Sequence, residues 1–164
     1  MKVGLLFGTF DPIHNGHLAI ATNPVLRKNI DQVWFLVTPE SPFKTGIINT
    51  AQKHRLAMVH LAISNQINLF VSDIESELAS PQYTANSLRH IQKRHLDYTF
   101  FLVMGEDNYT SLIQKEWREA DYILNNFEIF FYRRQNSHNS INIASKLKNT
   151  QILSNHIELP GKML

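Results

Sequence analysis

Ten residues, Gly8-Thr9-Phe10-Asp11-Pro12-Ile13-His14-Asn15-Gly16-His17, constrain this chain more than any other stretch. An apolar run, Val3-Gly4-Leu5-Leu6-Phe7, leads into them, and a helix-compatible run, Leu18-Ala19-Ile20-Ala21, leads out. A buried strand, a glycine-punctuated turn and a helix start form the setting in which α/β proteins hold phosphate with backbone N–H groups and the positive end of a helix. If the helix begins near Gly16, the imidazoles of His14 and His17, three residues apart, can converge on one anion above its first turn. The glycine spacings of a lysine-bearing phosphate loop and of a dinucleotide fingerprint are both absent. One glycine and one histidine would be satisfied by a plain tight turn, but the whole constellation asks for more.

Taken together, these ten residues resemble the G-[TS]-F-D-x-x-H-x-G-H signature of the nucleotidyltransferase superfamily, whose members join a nucleoside triphosphate to a phosphorylated small molecule and release pyrophosphate. A zinc site at His14 and His17 finds no support in the sequence, which has no cysteine and no third ligand at a recognisable spacing.

Strand-like and helix-like segments alternate along the rest of the chain. Helical sequence runs on to about Lys28, with Pro24 expected to kink or end it. Val33 to Val37 reads as a second buried strand, closing a β-α-β unit whose crossover should be right-handed. Residues 38–50 read as a loop, and Thr50 could cap a helix from 51 to about 64 that turns Leu56, Val59 and Ile63 to one face. Ile67 to Val71 is a third strand, and a helix carrying Leu88 and Ile91 follows Thr84. Tyr98 to Met104 is the most continuously apolar strand, stopped by Gly105, after which Glu106 and Asp107 suit the positive end of a new helix. A helix over 117–125, a fifth strand from Phe127 to Tyr132, a polar helix over 140–148 and a last strand with Ile157 and Leu159 complete the series.

This rhythm predicts an α/β fold: a Rossmann-like, doubly wound, mostly parallel sheet with helices on both faces. At 164 residues the chain reads as one domain with a core large enough to need no staples. Ligands in such sheets sit outside the carboxyl ends of the strands, so Gly8, Lys44, Thr84 and Gly105, which all follow strands, are candidates for one cleft. A formal charge of +2 is too small to argue for nucleic acid as the main partner. No uninterrupted apolar segment approaches a membrane span, so a cytoplasmic enzyme with no membrane partner is the expectation. Homo-oligomerisation is left open.

Beyond the opening motif, several positions resemble the bacterial nicotinate mononucleotide adenylyltransferase branch of that superfamily. Pro42-Phe43-Lys44 resembles a Pro-Pro-His-Lys loop, with phenylalanine in place of the histidine, and His54-Arg55 with Met58 matches the His-Arg-x-x-Met helix that follows it. The resemblance implies a phosphate contact for Lys44. Gln82-Tyr83-Thr84-Ala85-Asn86-Ser87-Leu88 resembles Ser-Tyr-Thr-x-x-Thr-Leu, departing at Gln82 and Ser87. Thr84 is a good N-cap, and the resemblance adds that amides at this helix start receive the nicotinate carboxylate. Gly105-Glu106-Asp107 matches Gly-x-Asp, and Trp117 stands where the branch has a tryptophan that stacks on the pyridine ring. Tyr109 could line the same pocket. Arg133 stands where the branch has an arginine after strand five, while Arg134 replaces a common proline.

The resemblance covers most of residues 1–135 and then fades. Members carry an Ile-Ser-Ser-Thr-x-Ile-Arg segment beyond the last strand, and the sequence ends at Pro160-Gly161-Lys162-Met163-Leu164 without one. What the resemblance implies is a nicotinate-nucleotide adenylyltransferase using ATP and nicotinate mononucleotide. His14 and His17 would be catalytic and, with Gly8, Thr9, Phe10, Gly105 and Asp107, ATP-binding; Lys44, Thr84, Tyr109, Trp117 and Arg133 would meet the mononucleotide. Mg²⁺ would enter on the ATP phosphates. Pantetheine-phosphate adenylyltransferase, a cytidylyltransferase and a non-catalytic nucleotide-binding module are the competing expectations.

Overall fold

The computed structural model describes residues 1–42, 50–133 and 156–159. Six strands form one sheet in the order β3-β2-β1-β4-β5-β6, where β1 is Lys2–Gly8, β2 Gln32–Val37, β3 Leu69–Ser72, β4 Thr99–Gly105, β5 Ile129–Tyr132 and β6 His156–Leu159. Every pairing is parallel. Strand order runs outward one way from β1 through β2 to β3, then jumps to β4 on the other side of β1. The topology therefore reverses between β1 and β4, and a crevice opens beyond their carboxyl ends.

Alternation along the strands divides the core into two apolar clusters. Val3, Leu5, Phe100, Leu102, Ile129 and Phe131 belong to one cluster, while Leu6, Phe101, Val103 and Phe130 belong to the other. Side chains two apart share a face of a sheet, so the clusters lie on opposite faces. Helices α4 (Thr84–Arg94), α5 (Glu106–Ile113) and α6 (Ala120–Asn126) feed the first cluster through Leu88, Ile91, Leu112 and Ile123. Helices α1 (Asn15–Ala21), α2 (Pro24–Asn29) and α3 (Gln52–Ile63) feed the second through Ala21, Leu26, Val59 and Ile63. The sheet is doubly wound, as the alternation of segments predicts. Among the described residues no helix is long and apolar enough to cross a membrane.

Several boundaries differ from the sequence reading, each for a local reason. Pro24 opens a new helix rather than kinking an old one: Asn23 Oδ1 accepts from the N–H groups of Val25 at 2.9 Å and Leu26 at 3.4 Å, and proline at the first helical position lacks only an N–H that would be unpaired anyway. Thr50 does not cap α3, whose N-cap is Ala51 without a side-chain bond; the Thr50 carbonyl instead accepts from Arg55 Nε at 3.0 Å. Ile67 is 80% exposed and stays outside β3, because Asn68 takes a left-handed φ of 69° just before the strand. Glu119, at φ 56°, similarly delays α6 until Ala120. The expected helix over 140–148, Lys44 and Arg134 lie outside the described residues.

Candidate active site

The turn after β1 is shaped by three close packings. Phe10 is buried at a positive φ of 48°, with its ring 5.4 Å from Phe35 and 4.9 Å edge-on from His17. A left-handed backbone at a bulky residue costs on the order of 1–3 kcal/mol, and burial of the ring between these partners holds it there. A Cβ on Gly8 would stand 3.0 Å from the Phe10 ring, and one on Gly16 would stand 2.9 Å from the His14 ring. Both glycines are thus where aromatic rings fold back onto the backbone.

His14 and His17 cap the helix they precede and enter. Helix α1 starts at Asn15, His14 is its N-cap, and His14 Nδ1 accepts from Gly16 N–H at 3.1 Å. His17 Nδ1 accepts from the His14 N–H, also at 3.1 Å, which completes a reciprocal capping box. An imidazole whose Nδ1 accepts must, when neutral, carry its proton on Nε2. The two rings stack with centroids 3.8 Å apart and planes 24° from parallel. The sequence thereby presets both rings as Nε2–H donors on one short stretch of surface.

Behind this turn, Arg55 locks two loops together. Its Nη1 donates to Thr9 O at 2.7 Å and Thr38 O at 2.8 Å, and its Nη2 to Pro39 O at 3.1 Å. The side chain is 1% exposed, and burial lowers its pKa, an effect opposed by the charge of Asp11. Sequence reading noted Arg55 only within a helix pattern, since an arginine in an amphipathic helix ordinarily faces water. Its position four before Val59 and eight before Ile63, on the apolar stripe, was the available signal.

A cavity of about 560 Å³ opens at the reversal point, a size suited to a small-molecule ligand. Gly8 and Thr9 form one side, with Thr38 and Glu75 near the sheet. Tyr83 and Thr84 form the next side, and Ser111, Glu116, Trp117 and Arg118 the far wall. Of the residues expected from the sequence, the cavity brings together Gly8, Thr9, Thr84 and Trp117; His14 and His17 follow on the same turn, outside its lining. Thr84 is the first residue of α4 rather than its cap, which is Tyr83 without a side-chain bond. Trp117 is half-buried, its indole N–H donating to Ser111 Oγ at 3.1 Å.

Other expected residues lie elsewhere. Tyr109 is in the core, not on the cavity wall: it is fully buried and stacks on Phe131 at 3.9 Å, and burial pushes its phenol up to about 12. Its place on α5 turns it toward the sheet, a direction a lone tyrosine in a helix does not announce. Gly105 ends β4 with open space where a Cβ would be, and Asp107 is exposed in the first turn of α5. Arg133 pairs with Glu158 across β5 and β6 at 3.2 Å, outside the cavity lining.

Among the polar cavity residues to which sequence reading gave no role are Glu75 and Gln82. Glu75, 2% exposed, receives Thr38 Oγ1 and Ser87 Oγ, each at 2.5 Å. Burial pushes its carboxyl above the usual carboxylate range, against the opposing pull of the Ser87 and Thr38 hydroxyls. Gln82 ties the loop after β2 to the approach of α4, since its Oε1 accepts from the Glu40 N–H at 2.8 Å while its own N–H donates to Glu40 O at 3.0 Å.

Comparison with known proteins places these features in one family. Residues 5–157 match the cytidylyltransferase-like family model. The probable nicotinate-nucleotide adenylyltransferase of Flavobacterium psychrophilum is 44% identical over 137 residues, covering 84% of this chain and 70% of that protein. Its namesake from Flavobacterium johnsoniae is 41% identical over 134 residues, covering 82% and 68%. The fold is also that of Plasmodium falciparum nicotinic acid mononucleotide adenylyltransferase, solved with NaAD, at a TM-score of 0.68 and 21% identity over 99% of this chain and 77% of that one. With the opening motif, the reversed parallel sheet and these relatives in agreement, the chain belongs to the nicotinate-nucleotide adenylyltransferase branch of the cytidylyltransferase-like nucleotidyltransferases.

Proposed function

We propose that this protein transfers the adenylyl group of ATP to nicotinate mononucleotide, giving deamido-NAD and pyrophosphate. The observation that carries this reading is the pair of stacked, Nδ1-capped histidines beside a cavity walled by Thr84 and Trp117. A phosphate oxygen of the mononucleotide attacks the α-phosphorus of ATP, a new P–O bond forms, and the α–β bridge breaks to release pyrophosphate. Such chemistry needs positioning and charge stabilisation more than covalent help. The Nε2–H groups of His14 and His17 donate to the ATP phosphates, and the backbone of Gly8, Thr9 and Phe10 follows the nucleotide along the turn. Trp117 takes the pyridine ring on its face, and Thr84 offers the start of α4 to the carboxylate.

Arg55 contributes at one remove, holding the Thr9 and Thr38 loops at a fixed separation through three carbonyls. A divalent ion would supply neutralisation of phosphate charge. Such an ion would be carried in largely on phosphate and water ligands, as Mg²⁺ prefers.

The test is pyrophosphate release from ATP across a panel of acceptors: nicotinate mononucleotide, nicotinamide mononucleotide and phosphopantetheine. Release with the pyridine nucleotides supports the reading. Release only with phosphopantetheine, or only when CTP replaces ATP, would assign the cavity to another member of the superfamily.

A further inference from the structure

Arg118 is the only cation among the described residues that line the cavity. Its guanidinium carbon lies 3.7 Å from the centroid of the Tyr83 ring, so one face of the planar group is held against the aromatic surface. In that arrangement the N–H donors point out from the edge of the plane, where they can meet a carboxylate in a forked pair. The side chain is solvent-exposed, and among the described residues it forms no ion pair with a carboxylate. Its neighbour Glu119 is already taken by Arg89, with contacts of 2.9 and 2.7 Å.

The other charged groups of the lining are acidic. Two carboxyl groups face the same space: Glu75, held by Thr38 and Ser87, and Glu116, which receives Ser111 Oγ at 2.8 Å. Neither offers a positive charge to a ligand carboxylate, and negative charge on either would disfavour it relative to a neutral amide. Arg118 adjoins Trp117 in the chain and touches the ring of Tyr83, the residue before Thr84, so it stands between the proposed ring platform and the proposed carboxylate-receiving helix start.

We infer that Arg118 is a specificity-determining residue, whose Tyr83-stacked guanidinium takes the ring carboxylate of a pyridine mononucleotide and makes the site favour the acid over its uncharged amide. This rests on the reading of the cavity as the mononucleotide site.

The test is isothermal titration of nicotinate mononucleotide and nicotinamide mononucleotide, each without ATP, into the unmodified protein, Arg118→Gln and Arg118→Lys. The unmodified protein should bind the acid more tightly. Arg118→Gln should weaken the acid about tenfold, as loss of a charge-assisted hydrogen bond at an exposed site implies, and leave the amide within about twofold. Arg118→Lys, which keeps the charge and loses the fork, should fall between. Equal weakening of both ligands, or an unchanged preference in Arg118→Gln, would overturn the role of Arg118 while leaving the cavity reading intact. If the unmodified protein binds neither mononucleotide, the cavity reading fails and takes this inference with it. Unchanged circular dichroism of both variants checks that the fold is kept.

Discussion

Arg55 Nη1 donates to Thr9 O at 2.7 Å and to Thr38 O at 2.8 Å, so a single buried nitrogen joins the loop after β1 to the loop after β2. Both loops border the cavity, and Thr38 N–H also reaches back to Gly8 O at 2.8 Å. Removing the guanidinium takes a charged, buried donor away from the carbonyls of Thr9, Thr38 and Pro39. Arg55→Ala should therefore lower the unfolding free energy by at least about 2 kcal/mol, measured by urea denaturation. Arg55→Lys should recover only part of it, because one ammonium cannot span the same fork of acceptors. A loss below about 0.5 kcal/mol in Arg55→Ala, the range of ordinary surface changes, would show that the bridge holds nothing together.

The histidines have two separable duties, capping and donation. His14→Ala and His17→Ala should each reduce turnover by one or more orders of magnitude, since a donor to developing charge is worth roughly 2.7–4 kcal/mol. His14→Ala should also destabilise α1 by about 1 kcal/mol through the lost cap. His14→Asn restores an acceptor for the Gly16 N–H but offers no Nε2–H, so its stability should return toward the original while turnover stays low. If His14→Asn recovers both, the imidazole is a cap and nothing else.

Trp117 is half-buried with its N–H anchored on Ser111, so truncation should perturb the cavity wall more than the core. Trp117→Ala should raise the Michaelis constant for the mononucleotide more than that for ATP, in line with the roughly 0.5–1.5 kcal/mol an aromatic stack adds beyond burial. Equal rises for both substrates, or a melted protein, would place the indole in the core instead.

Glu75 carries a pH dependence whose sign is fixed by its burial. Its folded-state pKa is raised, so its contribution to stability is fully present below the unfolded value of about 4.3 and is lost as pH rises through the folded value. Glu75→Gln keeps an acceptor and never ionises. The stability of Glu75→Gln relative to the unmodified protein should therefore climb as pH increases from 4 upward, measured by thermal melts across that range. A difference that is flat with pH would mean the carboxyl titrates alike in both states.

The legible part of this protein was whatever is written in periodicity and contiguous motif. Apolar runs at β1, β2 and β4 announce buried parallel strands, and the ten-residue turn places the histidines. What the sequence could not show is direction. Tyr109 and Trp117 are both aromatic residues beyond the same glycine, yet one stacks on Phe131 inside the core and the other lines the cavity. Nor does a charge declare that it is buried: Arg55 and Glu75 earn their places through partners distant in the chain, at Thr9, Thr38 and Ser87. Asn23 before Pro24 shows the opposite case, a boundary that local capping chemistry decides and that Pro24 alone misreads as a kink.

The central claim is adenylyl transfer to nicotinate mononucleotide, and the most direct measurement follows the phosphorus. ATP labelled at the α-position and, separately, at the γ-position is incubated with the protein, Mg²⁺ and nicotinate mononucleotide, and the products are separated. The α-label should appear in deamido-NAD and the γ-label in pyrophosphate, in equal amounts and only when the mononucleotide is present. An α-label that stays in ATP under these conditions, or a γ-label that leaves as inorganic phosphate, would contradict the account.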